Sequence, residues 1–207
     1  MEIDGINLVW LGHAAFKIKS SGLVIYIDPF QISDTEKADI VLITHDHYDH
    51  CSKEDVKKIL KEKTEVICNQ ASASKLGIKA RILDIGKKID VLGVKIAAVP
   101  AYNVKKEFHK KGSGLGFVIE IAGKRIYHAG DTDVIPEMHE LSNIDIALLP
   151  VGGTYTMNAE EAVEAAEIIK PKIAIPMHYG SIVGSDHDAQ IFKELYSGRA
   201  YVLKKNQ

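Results

Sequence analysis

Four apolar runs in this chain stop abruptly at a side chain able to bind a metal, and that repetition narrows the folds open to it. Val24-Ile25-Tyr26-Ile27 ends at Asp28, and Ile40-Val41-Leu42-Ile43 runs into Thr44-His45-Asp46-His47-Tyr48-Asp49-His50. Arg125-Ile126-Tyr127-His128 leads through Ala129-Gly130 to Asp131, and Lys172-Ile173-Ala174-Ile175-Pro176-Met177 ends at His178. Short β-branched runs bounded by turn residues read as strands. One aspartate at a strand end is ordinary turn chemistry. Four such ends, one of them carrying three histidines, call for strands lying side by side with their exits on one rim. Imidazole and carboxylate are the usual ligands of Zn²⁺, Mn²⁺ and Fe²⁺, so that rim reads as a metal site.

The rest of the chain supports a single soluble unit spanning residues 1–207. At 207 residues it is long enough for one well-buried domain and short for two. A net charge of −2 argues against a broad nucleic-acid or anionic-membrane surface. No apolar run approaches the roughly 20 residues that cross a bilayer, and Met1-Glu2-Ile3-Asp4-Gly5 lacks the basic and apolar segments of a secretory signal. With only Cys51 and Cys68, a disulfide framework is not expected and a reducing cytoplasm is the default location. Cys51 adjoins the histidine cluster, but such a residue is more often a small hydrophobe than a ligand.

Further strands are expected at Leu8–Trp10, Ala15–Lys19, Glu65–Cys68, Arg81–Asp84, Lys95–Val99, Gly116–Ile121, Ile144–Leu149 and Arg199–Leu203, several joined by hairpin turns. Ser52 and Asp55 begin a helix over Lys53–Glu62, and Asn158 caps one over Ala159–Lys170. Ser185 and Asp188 open a third, through Tyr196. Hairpin-rich sheets together with strand–helix units suggest two packed sheets with helices outside.

His45-x-His47-x-Asp49-His50 reproduces the H-x-H-x-D-H signature of the metallo-β-lactamase-fold hydrolases, and Asp28, Asp131 and His178 match that superfamily's other strand-end positions in order. From Leu11 to about Tyr179 the chain therefore resembles that superfamily. Trp10-Leu11-Gly12-His13-Ala14 and the stretch from Tyr127 to Asp133 look most like a compact subgroup that includes ascorbate-6-phosphate lactonase and N-acyl phosphatidylethanolamine phospholipase D. The resemblance implies an α/β fold, a four-layer αβ/βα sandwich of two mixed sheets with helices on the outer faces. It also implies one or two divalent cations, Zn or Mn in the first place and Fe as a further option. By family position His45 and His47 hold one ion, Asp49, His50 and His178 the other, and Asp131 bridges them. Such ions lower the pKa of a bound water so that a nucleophile exists at neutral pH, and they polarise the oxygen under attack. Asp49 doubles as a candidate proton acceptor, and Asp28 is expected to orient a ligand histidine from behind.

The chain departs from the family where most members carry Pro-Gly-His, a third histidine for the first ion. Here the segment is Val99-Pro100-Ala101-Tyr102-Asn103. Three readings stay open: Asn103 coordinates through its amide oxygen, His109 swings back from six residues on, or the first site is short of a ligand and one ion is held tightly.

His13 is a candidate for substrate contact or proton transfer, while His128 reads as structural or as support behind the ligands. His139 reads as a surface residue and His187 as a helix-cap neighbour. Lys106 and Lys110, in a lysine-rich loop, are candidates to hold an anion, and Tyr102 and Tyr179 to donate to a developing oxyanion. The expected activity is hydrolysis of a small anionic ester, phosphodiester or lactone, by metal-activated hydroxide. The alternatives are a mononuclear iron dioxygenase and a non-catalytic metal or ligand sensor. The expected partner is a small molecule, without nucleic acid or membrane span and with homo-oligomerisation left open.

Overall fold

The computed structural model describes residues 1–33 and 35–206. Its first sheet is laid out in chain order: β1 (Glu2–Ile3), β2 (Ile6–Gly12), β3 (Ala15–Ser20), β4 (Leu23–Ile27), β5 (Ile40–Ile43), β6 (Glu65–Cys68) and β7 (Arg81–Ile82). The second follows the same rule: β8 (Lys88–Val91), β9 (Val94–Ala101), β10 (Gly114–Ile121), β11 (Lys124–His128), β12 (Ile146–Pro150) and β13 (Ile173–Met177). Each begins antiparallel and turns parallel, from β4 onward in the first and from β11 onward in the second. The hairpin turns at Ser21-Gly22, Leu92-Gly93 and Ala122-Gly123 have both central residues at positive φ, the twist that two-residue hairpins favour.

Between the sheets lies the main core, and helices close the outer faces. In β5 every side chain is buried: Ile40 and Leu42 point into the inter-sheet core, Val41 and Ile43 toward α1 (Lys53–Ile59) and α2 (Gln70–Leu76). Each such side chain contributes roughly 1.5–3 kcal/mol, which is why this strand reads as a continuous apolar run and not as an alternation. α3 (Ala159–Ile169) and α4 (Asp186–Leu195) cover β12 and β13. The result is the four-layer αβ/βα sandwich. Among the described residues no helix is long and apolar enough to cross a membrane.

Three departures from expectation have local causes. α1 stops at Ile59, short of Glu62, because Ala38 N and Lys37 Nζ take the carbonyls of Ile59 and Lys58 at 2.8 and 2.9 Å. α2 leaves no apolar stripe in the sequence, since only Ser72 and Leu76 of it are buried. The segment expected as a strand at Arg199–Leu203 makes a single bridge, Ala200 to Ala174. It then crosses to the other sheet, where Asn206 N donates to Trp10 O at 2.8 Å.

The parallel halves decide where the chemistry sits. β4 and β5 run together, as do β11, β12 and β13, so their carboxyl ends open on one rim, where ligands gather in α/β sheets. Bonds between the sheets close that rim: Leu115 N to Thr44 O at 2.9 Å, His178 N to His13 O at 2.9 Å, and His128 Nε2 to Ala14 O at 2.9 Å.

Candidate metal centre

Turning sharply out of a strand costs backbone strain, and this rim concentrates it. His13 follows β2 at φ 53°, Asp28 follows β4 at φ 45°, and His178 follows β13 at φ 60°. A non-glycine residue in the left-handed region costs on the order of 1–3 kcal/mol and persists where its surroundings over-determine it. Each of these three turns one polar side chain toward the rim.

The side chains gather around one carboxylate. Asp131 Oδ2 lies 3.1 Å from His178 Nε2, 3.2 Å from His109 Nε2 and 3.9 Å from His45 Nε2. Its other oxygen lies 3.3 Å from His50 Nε2. On one side His45, His47 and His109 each place a ring nitrogen within 4.8 Å of the others, and on the other a carboxylate oxygen of Asp49 and one ring nitrogen each of His13, His50 and His178 are equally close. Yet His45 Nε2, His50 Nε2, His178 Nε2 and Asp131 Oδ1 are buried without a hydrogen-bond partner. An unpaired buried polar atom costs about 1–3 kcal/mol, so an ordinary polar cluster would have paired them. Lone pairs converging from both sides of one carboxylate match the donor set of two adjacent divalent cations.

The backs of the rings are fixed by protein oxygens. Asp28 Oδ2 accepts from His50 Nδ1 at 2.8 Å and from Thr44 Oγ1 at 2.6 Å, while its Oδ1 accepts from Thr44 N at 2.8 Å. Because Thr44 Oγ1 donates to Asp28, it is left to accept from His45 Nδ1 at 3.0 Å. One buried carboxylate thus orients two histidines, directly and through a hydroxyl, and turns their Nε2 atoms toward Asp131. Thr44 was not singled out from the sequence, where it reads as the last β-branched residue of a strand. Asp28→Asn is expected to weaken metal affinity by about 10–100-fold, the usual effect of losing such support, with the loss visible in equilibrium dialysis against zinc.

His109, not Asn103, reaches the cluster. Its Nε2 lies 3.2 Å from His47 Nδ1 as well as from Asp131. Asn103 turns its amide oxygen to His109, accepting from the backbone N at 2.9 Å and from Nδ1 at 3.1 Å. Its Nδ2 donates to Asp133 Oδ1 and to Tyr155 O, both at 3.0 Å. A direct coordinating role for Asn103 does not agree with this geometry, which makes it the support behind His109.

Burial and the carboxylates set the charge states. Desolvation holds the imidazoles of His45, His13 and His47 below their ordinary range. Burial also opposes a charge on His50, but Asp131 and Asp28 outweigh it and raise that group. Asp131 stays ionised despite burial because His178 and His50 face it. Asp49 is likewise lowered, to about 2, as the hydrogen bond from His13 Nε2 at 2.9 Å outweighs desolvation with help from His50.

The remaining candidates lie elsewhere. Lys106 Nζ binds Asp133 Oδ1 at 2.8 Å and approaches Glu161 Oε2 at 3.6 Å, so its charge is directed away from the centre. Lys110 is exposed and does not line the cavity over the centre. Tyr102 donates to Glu137 at 2.9 Å and receives Lys111 at 3.2 Å. Tyr179 is buried against Trp10, ring centroids 4.8 Å apart, and burial raises its phenol. His128 donates to Ala14 O and accepts from Gly130 N at 3.2 Å, tying the turn before Asp131 to the first sheet. His139 and His187 are exposed, and Cys51 is buried, its thiol pushed up to about 11 by desolvation.

A family model described as "Beta-lactamase superfamily domain" matches residues 7–178. A "UPF0173 metal-dependent hydrolase" of Methanopyrus kandleri is 34% identical, over 91% of this chain and 90% of its own. Another, of Pyrococcus abyssi, is 35% identical over 96% and 95%. Among solved structures, a Parabacteroides distasonis protein superposes with a TM-score of 0.88 at 34% identity, covering 98% of this chain and 94% of its own. "Igni18, a novel metallo hydrolase" of Ignicoccus hospitalis gives 0.80 at 27% identity, covering 98% and 96%. The chain belongs to the UPF0173 metal-dependent hydrolases of the metallo-β-lactamase superfamily.

Proposed function

We propose that this hydrolase cleaves small esters, phosphodiesters or lactones, at a centre of two divalent cations on either side of Asp131. The observation that carries the reading is the set of buried, unpartnered nitrogens of His45, His50 and His178 around that carboxylate. His45, His47 and His109 would hold one ion, Asp49, His50 and His178 the other, with Asp131 shared. Bound there, Zn²⁺ or Mn²⁺ supplies Lewis acidity toward the ester oxygen and lowers the pKa of water.

The chain's own part is positioning and proton handling. Asp49, ionised and lining the cavity, is placed to take the proton of the attacking water. His13, bonded to the same carboxylate, fixes its orientation and leaves Nδ1 unpartnered on the far side of the ring. Asp28 and Asn103 keep the ligand rings from rotating.

Stripping the protein with chelator and restoring it with zinc or manganese tests the reading. Hydrolysis of bis-p-nitrophenyl phosphate, or of a panel of lactones, should vanish in the stripped form and return with about two metal equivalents. Equal inactivity of stripped and loaded forms toward every ester would count against it.

A further inference from the structure

The mouth of the centre has apolar walls. A cavity of about 250 Å³ opens onto Asp49, Asp131, His47 and His109. Its sides are Tyr48, Phe108, Tyr155 and Ile182. Tyr48 is 62% exposed and Phe108 52% exposed, so two of the large hydrophobic side chains this protein leaves in water stand at this opening. Neither is loose: Phe108 meets Tyr155 edge-on with ring centroids 4.7 Å apart, and Tyr48 meets Phe30 at 5.9 Å. Exposed aromatic surface rimming a concave site gains free energy when an apolar group covers it.

Charge points the same way. Among the described residues no lysine or arginine lines the cavity. The loop cations that would hold a polyanion are engaged or outside it: Lys106 with Asp133, Lys111 with Glu137, and Lys110 off the lining. An engineered apolar cavity of about 150 Å³ accepts benzene, so this space takes a ring together with the ester group attached to it.

We propose that the substrate bears an apolar, ring-sized group next to its scissile bond, seated against Phe108, Tyr155 and Ile182 with Tyr48 as the facing lip. The inference rests on the hydrolase reading above and narrows its substrate from small esters in general to esters with one apolar arm. Recognition of that arm is by contact area and is indifferent to whether the ester is carboxylic or phosphoric.

Calorimetry on zinc-loaded protein with phenylphosphonate and methylphosphonate separates the arm from the head group, since both probes carry the same anion. Phenylphosphonate is expected to bind at least about tenfold more tightly. Phe108→Ala and Ile182→Ala are each expected to shrink that ratio at least about threefold. In parallel, a γ-lactone with a hexyl chain should show a lower KM than γ-butyrolactone, and bis-p-nitrophenyl phosphate distinguishes phosphoric from carboxylic esters. Equal phosphonate affinities with hydrolysis intact would overturn the inference and leave the hydrolase reading standing. A ratio unmoved in both variants would overturn the proposed seat. Failure of both probes to bind, with no ester hydrolysed by fully loaded protein, would remove both readings.

Discussion

Asp131→Asn is expected to empty the centre on both sides and to lower metal-dependent hydrolysis by at least about a thousandfold, roughly 4 kcal/mol of barrier. The size of the effect follows from position. Asp131 Oδ2 is within 3.2 Å of both His109 Nε2 and His178 Nε2, so this one carboxylate is common to the two groups of side chains proposed as ligands. An amide has nearly the same shape, but it lacks the charge that offsets two cations and offers one acceptor oxygen in place of two. Elemental analysis of the purified variant should therefore show both ions reduced, where a variant of a ligand on one side alone should lose one. Circular dichroism matching the parent would confirm that the loss is local. Full metal content in the variant would remove Asp131 from the bridging position.

Much of this centre was legible because its residues sit where strands end. Asp28, His45, Asp131 and His178 each follow a buried apolar run, and parallel pairing carries those ends to one edge whatever the intervening loops do. What stayed hidden was what faces away from the ligands. Thr44 looks like one more β-branched strand residue until Asp28, sixteen positions earlier, is folded against it. Asn103 carries an acceptor oxygen, and residue type alone does not say whether that oxygen meets a cation or a histidine N–H. The lysine-rich loop shows a related limit: composition reveals the charge of Lys106 but not the carboxylate of Asp133 that takes it up. The apolar mouth escaped because Tyr48, Phe108, Tyr155 and Ile182 come from four separate stretches of the chain.

The loop from Tyr102 to Lys111 is where the second large effect is expected. His109→Ala should lower metal content from about two equivalents to about one and cut hydrolysis by about a hundredfold or more. In the proposed centre His109 would take the part that the family resemblance gives to the histidine of Pro-Gly-His, at the place of Tyr102 here, and the displacement needs a support of its own. Asn103 provides it, because its oxygen holds both the backbone N and Nδ1 of His109 while its Nδ2 is fixed by Asp133. Asn103→Ala should then weaken the same ion by about 10–100-fold without abolishing binding, and Asn103→Asp, which restores an acceptor for Nδ1, should recover part of it. That ordering separates support from coordination. Were Asn103 itself the ligand, Asn103→Ala would remove the ion outright and His109→Ala would leave the stoichiometry at two. Metal content of the three variants, measured at one pH and one zinc concentration, decides between them. It also decides whether a histidine carried on a loop between antiparallel strands can complete a centre whose other proposed ligands follow the ends of parallel strands.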